Sequence, residues 1–511
     1  MPYRFLLFFV LAQCIAAAQP NVSSPVSFFA DPDRLEKIKR TLPLIDSLYK
    51  AYAGSIHSPG FVYGVVVDGV LVGSGQTGVL ETGKKTPAST QSAFRIASMS
   101  KSFTAMAILQ LRDAGKLQLD DPVSKYIPAF ARQAYPATDA PAVTIRHLLT
   151  HAAGFPEDNP WGDRQLAKSD KELLQLVDNG ISYSNVPGVA YEYSNLGFTL
   201  LGHIIQKASG QPYQQYITQH ILKPLGMTHT FWEYSDVPAA ALAHGYRWLN
   251  NQWTEQPLLH DGAWGAMGGM ITNIEDFSRY MALHLSAWPP RSDKESPVLK
   301  RSSLREMQHP WNVPSLNAGY TYPSGRPCPV AAAYAYGLRW TKDCEGRVAV
   351  GHSGGLPGFG SNWQILPDYG IGVVCFSNVT YAPTTFINNL VLDTLMAAAG
   401  LKPRQQKPSS ILEKRKEQLV QLLPSWKAAE TAGIFAENFF LDYFPDSLRK
   451  EATALFEKAG KIIRVGAVVP ENNLRGAFLL EGEKTNLEVS FTLTPEYAPL
   501  IQEYHIRERR K

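Results

Sequence analysis

Residues 93–115 read AFRIASMSKSFTAMAILQLRDAG. The segment AFRIAS is expected as a short strand. It passes directly into a helical pattern in which Phe103, Met106, Ala107, Leu109 and Leu111 recur, and Gly115 supplies the stop. Ser98-Met99-Ser100-Lys101 stands at the junction. Residues three apart share one helical face, and a lysine side chain leans back toward the helix N-terminus, so its amine reaches the serine hydroxyl. The helix dipole disfavours an ammonium there. With burial added, Lys101 is expected to act as a base while Ser98 attacks as a nucleophile. The spacing alone is weak evidence, because it recurs at Ser47–Lys50 and Ser447–Lys450. Those copies lie in charged helical stretches, where a solvated serine and lysine are expected.

A second element must carry a proton to the leaving group. PGVAYEYSNLGFTLLGHIIQKASG, residues 187–210, places Tyr193-Ser194-Asn195 just before an amphipathic helix. A nearby lysine cation is expected to push Tyr193 toward phenolate, below its usual pKa of about 10. Asn195 suits a helix cap or a hydrogen-bonding role in the site. Tyr183-Ser184-Asn185 repeats the pattern but precedes the Pro187-Gly188 turn and heads no helix.

Gly351-His352-Ser353-Gly354-Gly355 fits G-x-S-x-G, the nucleophile elbow of α/β-hydrolases. An elbow needs a strand, a sharp turn and then a helix. Here Pro357, Gly358 and Gly360 follow, and the next regular element is a strand. Ser353 is therefore expected inside an edge strand rather than as the nucleophile.

Ser98-x-x-Lys101, Tyr193-x-Asn195 and His352-Ser353-Gly354, in that order, resemble the serine β-lactamase and penicillin-binding superfamily. The closest group looks like class C β-lactamases, D-alanyl-D-alanine carboxypeptidases, D-aminopeptidases and related esterases. TIRHLLTHAAGF, PLGMTHTFW, GAMGGMITNIEDFSRYM and YAYGLRW fit as well, and the similarity runs from about 55 to 400. The family pattern places its tyrosine a few residues after a Pro-Gly pair, which selects Tyr193 over Tyr183. The resemblance implies an α+β, β-lactamase/transpeptidase-like fold: an antiparallel sheet flanked by helices plus a helical lobe. It implies an acyl-enzyme on Ser98, with Lys101 and Tyr193 managing protons. The backbone N–H groups of Ser98 and Gly355 would form an oxyanion hole. Asn195 would orient Lys101 and a substrate amide, and His352 would hydrogen-bond Tyr193 or a substrate carboxyl. Gly354 completes the substrate-binding set.

The family's third motif is usually Lys-Thr-Gly or His-x-Gly; here it is His352-Ser353-Gly354, and Lys-Thr-Gly occurs nowhere in the chain. A histidine, with an unperturbed pKa of about 6.5, pulls less on a substrate carboxylate than a lysine. That shifts the expectation toward a D-amino-acid peptide or small ester. Hydrolysis of β-lactam antibiotics, and a penicillin-binding sensor with little turnover, are the alternatives.

The remaining sequence sets the context. The 511 residues are 45% hydrophobic and 18% charged, with net charge +4, which argues for no nucleic-acid partner. Residues 1–18 have the pattern of a signal peptide ending at Ala16-Ala17-Ala18, so export to the periplasm or medium is expected. Cell-envelope association is left open. A helical segment is expected over 19–54 and the catalytic domain over 55–401. A Pro-containing linker follows at 402–410, then a small α+β domain over 411–511 with a helix capped by Asp446. Within the catalytic domain, GFVYGVVVDGVLVGSGQTG reads as a hairpin turning at Asp68-Gly69. Cys328 and Cys344 flank a loop-and-strand stretch, and both pairing and free thiols fit the sequence. His147 and His151 have a metal-like spacing, but HExxH is absent, and no metal or cofactor is expected.

Overall fold

The computed structural model describes residues 25–510. The expected signal peptide lies outside the described residues. The chain divides into two compact units, Phe28–Gln405 and a smaller one containing the chain from Gln406 on.

The larger unit is built on nine antiparallel strands: β1 Gly60–Val67, β2 Val70–Glu81, β3 Thr86–Pro87, β4 Asn312–Asn317, β5 Val330–Tyr334, β6 Arg339–Asp343, β7 Val348–Leu356, β8 Phe359–Leu366 and β9 Ile371–Ser377. Their order is β3-β2-β1-β9-β8-β7-β6-β5-β4, so the two ends of this unit meet at the β1–β9 pair. The β1–β2 hairpin turns at Asp68 and Gly69 with φ of 49° and 84°. Both values are left-handed, as a two-residue type I′ turn requires.

Strand β1 is buried along its whole length, and its two faces serve different cores. Phe61, Tyr63, Val65 and Val67 pack with helices α1 (Arg34–Ser55) and α5 (Thr384–Ala398). Val62 and Val66 join the larger core, which includes α2 (Ser100–Asp113), α3 (Asn195–Ser209) and α4 (Ile274–Leu285). Burial on both faces explains why β1 is apolar without alternation. At about 1.5–3 kcal/mol for each large apolar side chain removed from water, these faces dominate the driving force for closing the sheet.

Helix α2 is buried on all sides except near its C-terminus, so its apolar residues form a core rod rather than one amphipathic stripe. The expected strand before it is shorter than AFRIAS. Only Phe94–Arg95 form a strand, paired with Ile271–Thr272, while Ala93 makes a single bridge to Leu242, and a 3₁₀ turn over Ala97–Met99 carries Ser98 into the helix.

In the smaller unit, strands Ile462–Val465, Arg475–Gly482, Asn486–Leu493 and Ile501–Arg509 pair in that order. The first and last of these were not expected from the sequence. Helices Ser410–Leu422 and Pro445–Ala459 contribute Leu412, Leu419, Leu448 and Ala452 to the core of this unit. The cap of the second helix differs from expectation. Phe444 is the N-cap and Pro445 opens the helix, while Asp446 lies inside the first turn, ion-paired with Arg449.

Candidate active site

The turn that carries Ser98 is held from three sides. Ala97 adopts φ 50°, a left-handed value that costs a non-glycine residue roughly 1–2 kcal/mol. Ser100 Oγ donates to Ala97 O across 2.7 Å and accepts from Met270 N at 3.1 Å, fastening the turn to the GAMGGM segment. Strand β7 closes the third side, where a Cβ on Gly354 would strike Ile96 O and lie 3.0 Å from Ala97 Cβ.

Lys101 is fully buried. Its Nζ lies 3.0 Å from Ser98 Oγ, 2.7 Å from Asn195 Oδ1 and 2.9 Å from Met267 O. Burial lowers its pKa from 10.5 to about 7, opposed by the charges of Asp163 and Asp158 and assisted by Arg339. A substantial neutral fraction at neutral pH follows, which is what a base for a serine hydroxyl needs.

Asn195 opens α3. The cap itself is Ser194, whose side chain accepts from Gly197 N, so Asn195 is free to turn into the site. Asp158 accepts from Asn195 N at 2.6 Å and from Leu196 N at 2.8 Å, and the Asn195 amide donates to Asn159 Oδ1 at 2.7 Å. Its orientation is thereby fixed, with the carbonyl oxygen toward Lys101.

Tyr193 is also buried, with its ring centre 4.9 Å from Lys101 Nζ. Its pKa moves opposite to expectation. Burial pushes it well above 10, against only partial offsets from Ser98 and Arg339. With Lys101 itself depressed, the cation that was to favour phenolate is weak, and Tyr193 stands as a neutral O–H proton donor.

His352 corrects a second expectation. It is buried, and it does not hydrogen-bond Tyr193: its Nε2 lies 2.9 Å from Tyr334 Oη and its Nδ1 2.5 Å from Ser353 O. Only the Nδ1–H tautomer satisfies both contacts, donating to the carbonyl and accepting from the phenol. Burial holds the pKa well below the usual histidine value, so the ring is neutral. Both nitrogens are occupied by protein partners.

Strand β7 is not an edge of the sheet, as it lies between β6 and β8. Strand β6, however, pairs only with Val348–Gly351, so His352–Leu356 form a local edge. That gap is where Ser98, Tyr193, Ser353 and Gly355 line a cleft of about 370 Å³. Ser353 is a strand residue, and His352 bonds its carbonyl rather than its hydroxyl, so the elbow reading fails geometrically.

Several cleft residues escaped sequence reasoning. Asp163 accepts from Tyr381 Oη at 3.0 Å, and burial raises its pKa to about 6 despite the Lys101 charge. Arg339 is exposed, with its guanidinium 5.7 Å from the Tyr193 ring centre, and no acidic side chain among the described residues pairs with it. Its one sequence signal is its place within YAYGLRW. The three decoys lie elsewhere, and Ser447 and Lys450 are exposed. Lys50 pairs with Asp46 on the surface, and Ser184 and Asn185 bind Glu192. His147 accepts from Thr144 N in a capping box, and His151 Nδ1 accepts from Ser194 N, so both histidines are structural.

The Beta-lactamase family model matches residues 45–397, and the chain belongs to that family, placing it among the β-lactamase-related serine hydrolases. Among curated relatives, protein flp of Staphylococcus aureus strain COL is 31% identical over 66% of this chain and 64% of its own length. The chain thus spans less than two thirds of that relative. Beta-lactamase-like protein 2 of Dictyostelium discoideum is 25% identical over 96% of this chain and 89% of its own. In fold, the chain is similar to the octameric penicillin-binding protein homologue from Pyrococcus abyssi, with TM-score 0.59 and 20% identity over 92% and 96% of the two chains. It is also similar to a D-stereospecific amidohydrolase from Streptomyces, with TM-score 0.53 and 24% identity over 68% and 97%.

Proposed function

We propose that this protein is an exported serine hydrolase that cleaves an amide or ester of a small carboxylate-bearing substrate, such as a D-amino-acid peptide, through an acyl-enzyme. The observation that carries the reading is the buried Lys101 amine 3.0 Å from Ser98 Oγ with its pKa lowered to about 7.

Neutral Lys101 takes the Ser98 proton as Oγ bonds to the scissile carbonyl carbon. The oxyanion develops beside the Ser98 and Gly355 N–H groups. The C–N or C–O bond then breaks, and the leaving atom takes the Tyr193 proton, which the Lys101 ammonium replaces. Water attacks the acyl ester, giving its proton to Lys101 as the carbonyl oxygen becomes anionic. The tetrahedral species collapses, Oγ recovers the proton, and the free acid leaves.

The carboxylate preference rests on Arg339, which lines the cleft and has no acidic partner among the described residues. A buried neutral His352 cannot supply that charge. Export rests on the signal-peptide pattern and on the Cys328–Cys344 disulfide, a bond that persists in oxidising compartments.

Steady-state hydrolysis of an N-acyl-D-Ala-D-Ala peptide, a nitrophenyl ester and a cephalosporin tests the reading. Turnover of the peptide or ester, with a higher KM in Arg339→Ala for the peptide alone, supports it. A single stoichiometric burst would indicate a sensor, and fast cephalosporin turnover a β-lactamase.

A further inference from the structure

A second cavity, of about 330 Å³, lies beside the catalytic cleft and shares Arg339 and Ser353 with it. Its position follows from sheet register. Thr341 pairs with both Ala332 and Ala349, and Arg339 with Gly351, so these side-chain positions lie on one face. Ser353, two residues beyond Gly351, shares it. His352, between them, alternates to the other face of β7, and its Nε2 meets the hydroxyl of Tyr334, the last residue of β5.

The cavity floor is therefore a run of small residues across β5, β6 and β7. Leu392 and Met396 of α5 and Tyr320 supply apolar walls, and Arg326, Arg347 and Asp393 add a charged stretch whose members are ion-paired with one another. Its volume falls within the range of pockets that enclose small organic ligands, about 300–1,000 Å³. Because β6 stops pairing at Gly351, Arg339 and Ser353 stand at an open strand edge and line both the cavity and the catalytic cleft.

Which part of a substrate enters depends on the side of the scissile bond that faces Arg339. The Arg339 guanidinium lies over Tyr193, and Tyr193 is the group that protonates the leaving atom. The leaving group is therefore the part adjacent to Arg339.

Building on the function proposed above, we infer that this cavity is a leaving-group subsite for an α-amino or α-hydroxy acid with a large apolar side chain. The carboxylate meets Arg339, and the side chain passes Ser353 into the cavity. A small leaving residue such as alanine leaves the cavity unfilled.

The test uses N-acetyl-D-alanyl depsipeptides whose leaving group is lactate or 3-phenyllactate, each enantiomer separately. They share one acyl-enzyme, so kcat/KM isolates the leaving group. In the wild type, 3-phenyllactate of the accepted hand is expected to exceed lactate at least tenfold. In Thr341→Phe and Ala332→Leu, which fill the cavity, the ratio is expected to fall below three. A wild-type ratio of one or less overturns the inference, as does a ratio unchanged in a folded variant. Full hydrolysis by Ser98→Ala would instead overturn the function itself, which separates the two failures.

Discussion

Lys101 Nζ donates to Asn195 Oδ1 across 2.7 Å, joining the nucleophile helix to the start of α3 in a volume closed to water. The carbonyl oxygen stabilises an ammonium, and burial opposes it. Burial dominates, so the amine titrates near neutrality. The acylation rate, read as kcat/KM, is expected to rise with pH and level off, with a midpoint near 7, because only the neutral amine accepts the serine proton. The Asp163 charge raises the Lys101 pKa, so Asp163→Asn is expected to move that midpoint to lower pH. A pH–rate profile of the two proteins checks the direction.

The His352–Tyr334 hydrogen bond gives a stability prediction. Tyr334→Phe removes the hydroxyl that meets the buried His352 Nε2 and creates almost no cavity. Leaving that acceptor unsatisfied is expected to cost about 1–3 kcal/mol in denaturant unfolding. Because both ring nitrogens of His352 are held within the protein, KM is expected to change by less than threefold.

Gly354 packs where a methyl group would strike Ile96 O and crowd Ala97. Gly354→Ala is expected to push β7 away from the Ser98 turn and widen the oxyanion pocket. Misplacement of reacting groups by about 1 Å costs on the order of 10²-fold in rate. A loss of that size in kcat/KM, with far-ultraviolet circular dichroism retained, is the expected result.

Cys328 and Cys344 close a loop with a sequence separation of 16, beside the Arg326–Asp393 ion pair. A loop of this length gives roughly 3 kcal/mol of stabilisation in the chain-entropy account. Cys328→Ala/Cys344→Ala is expected to lose about that amount in denaturant unfolding, and reductant is expected to do the same to the wild type.

Much of this was legible because local chemistry and global fold agree. The Asp68-Gly69 turn, the unbroken apolar run of β1 and the glycines after Gly355 each permit few structures, and the sheet follows from them. Ser98, Lys101 and Asn195 meet because a strand-to-helix junction and a helix start carry them. What sequence missed depends on tertiary surroundings. Tyr193 was expected near phenolate from its cationic neighbour alone, whereas burial controls both groups. His352 was expected to hydrogen-bond Tyr193 or a substrate carboxyl, but on the face of β7 that it shares with Gly354 it is buried, with its nitrogens against Tyr334 and the Ser353 carbonyl. Arg339 and Asp163 carry no motif spacing of their own, and they reach the cleft only through the place where β6 ends and through the loop around Asn159.

The central claim is that Ser98, and not Ser353, is the nucleophile. Labelling with a fluorescent fluorophosphonate, read on a denaturing gel, tests it most directly. Wild type and Ser353→Ala are expected to label to one equivalent, and Ser98→Ala not at all. Full labelling of Ser98→Ala together with loss of labelling in Ser353→Ala would contradict the account.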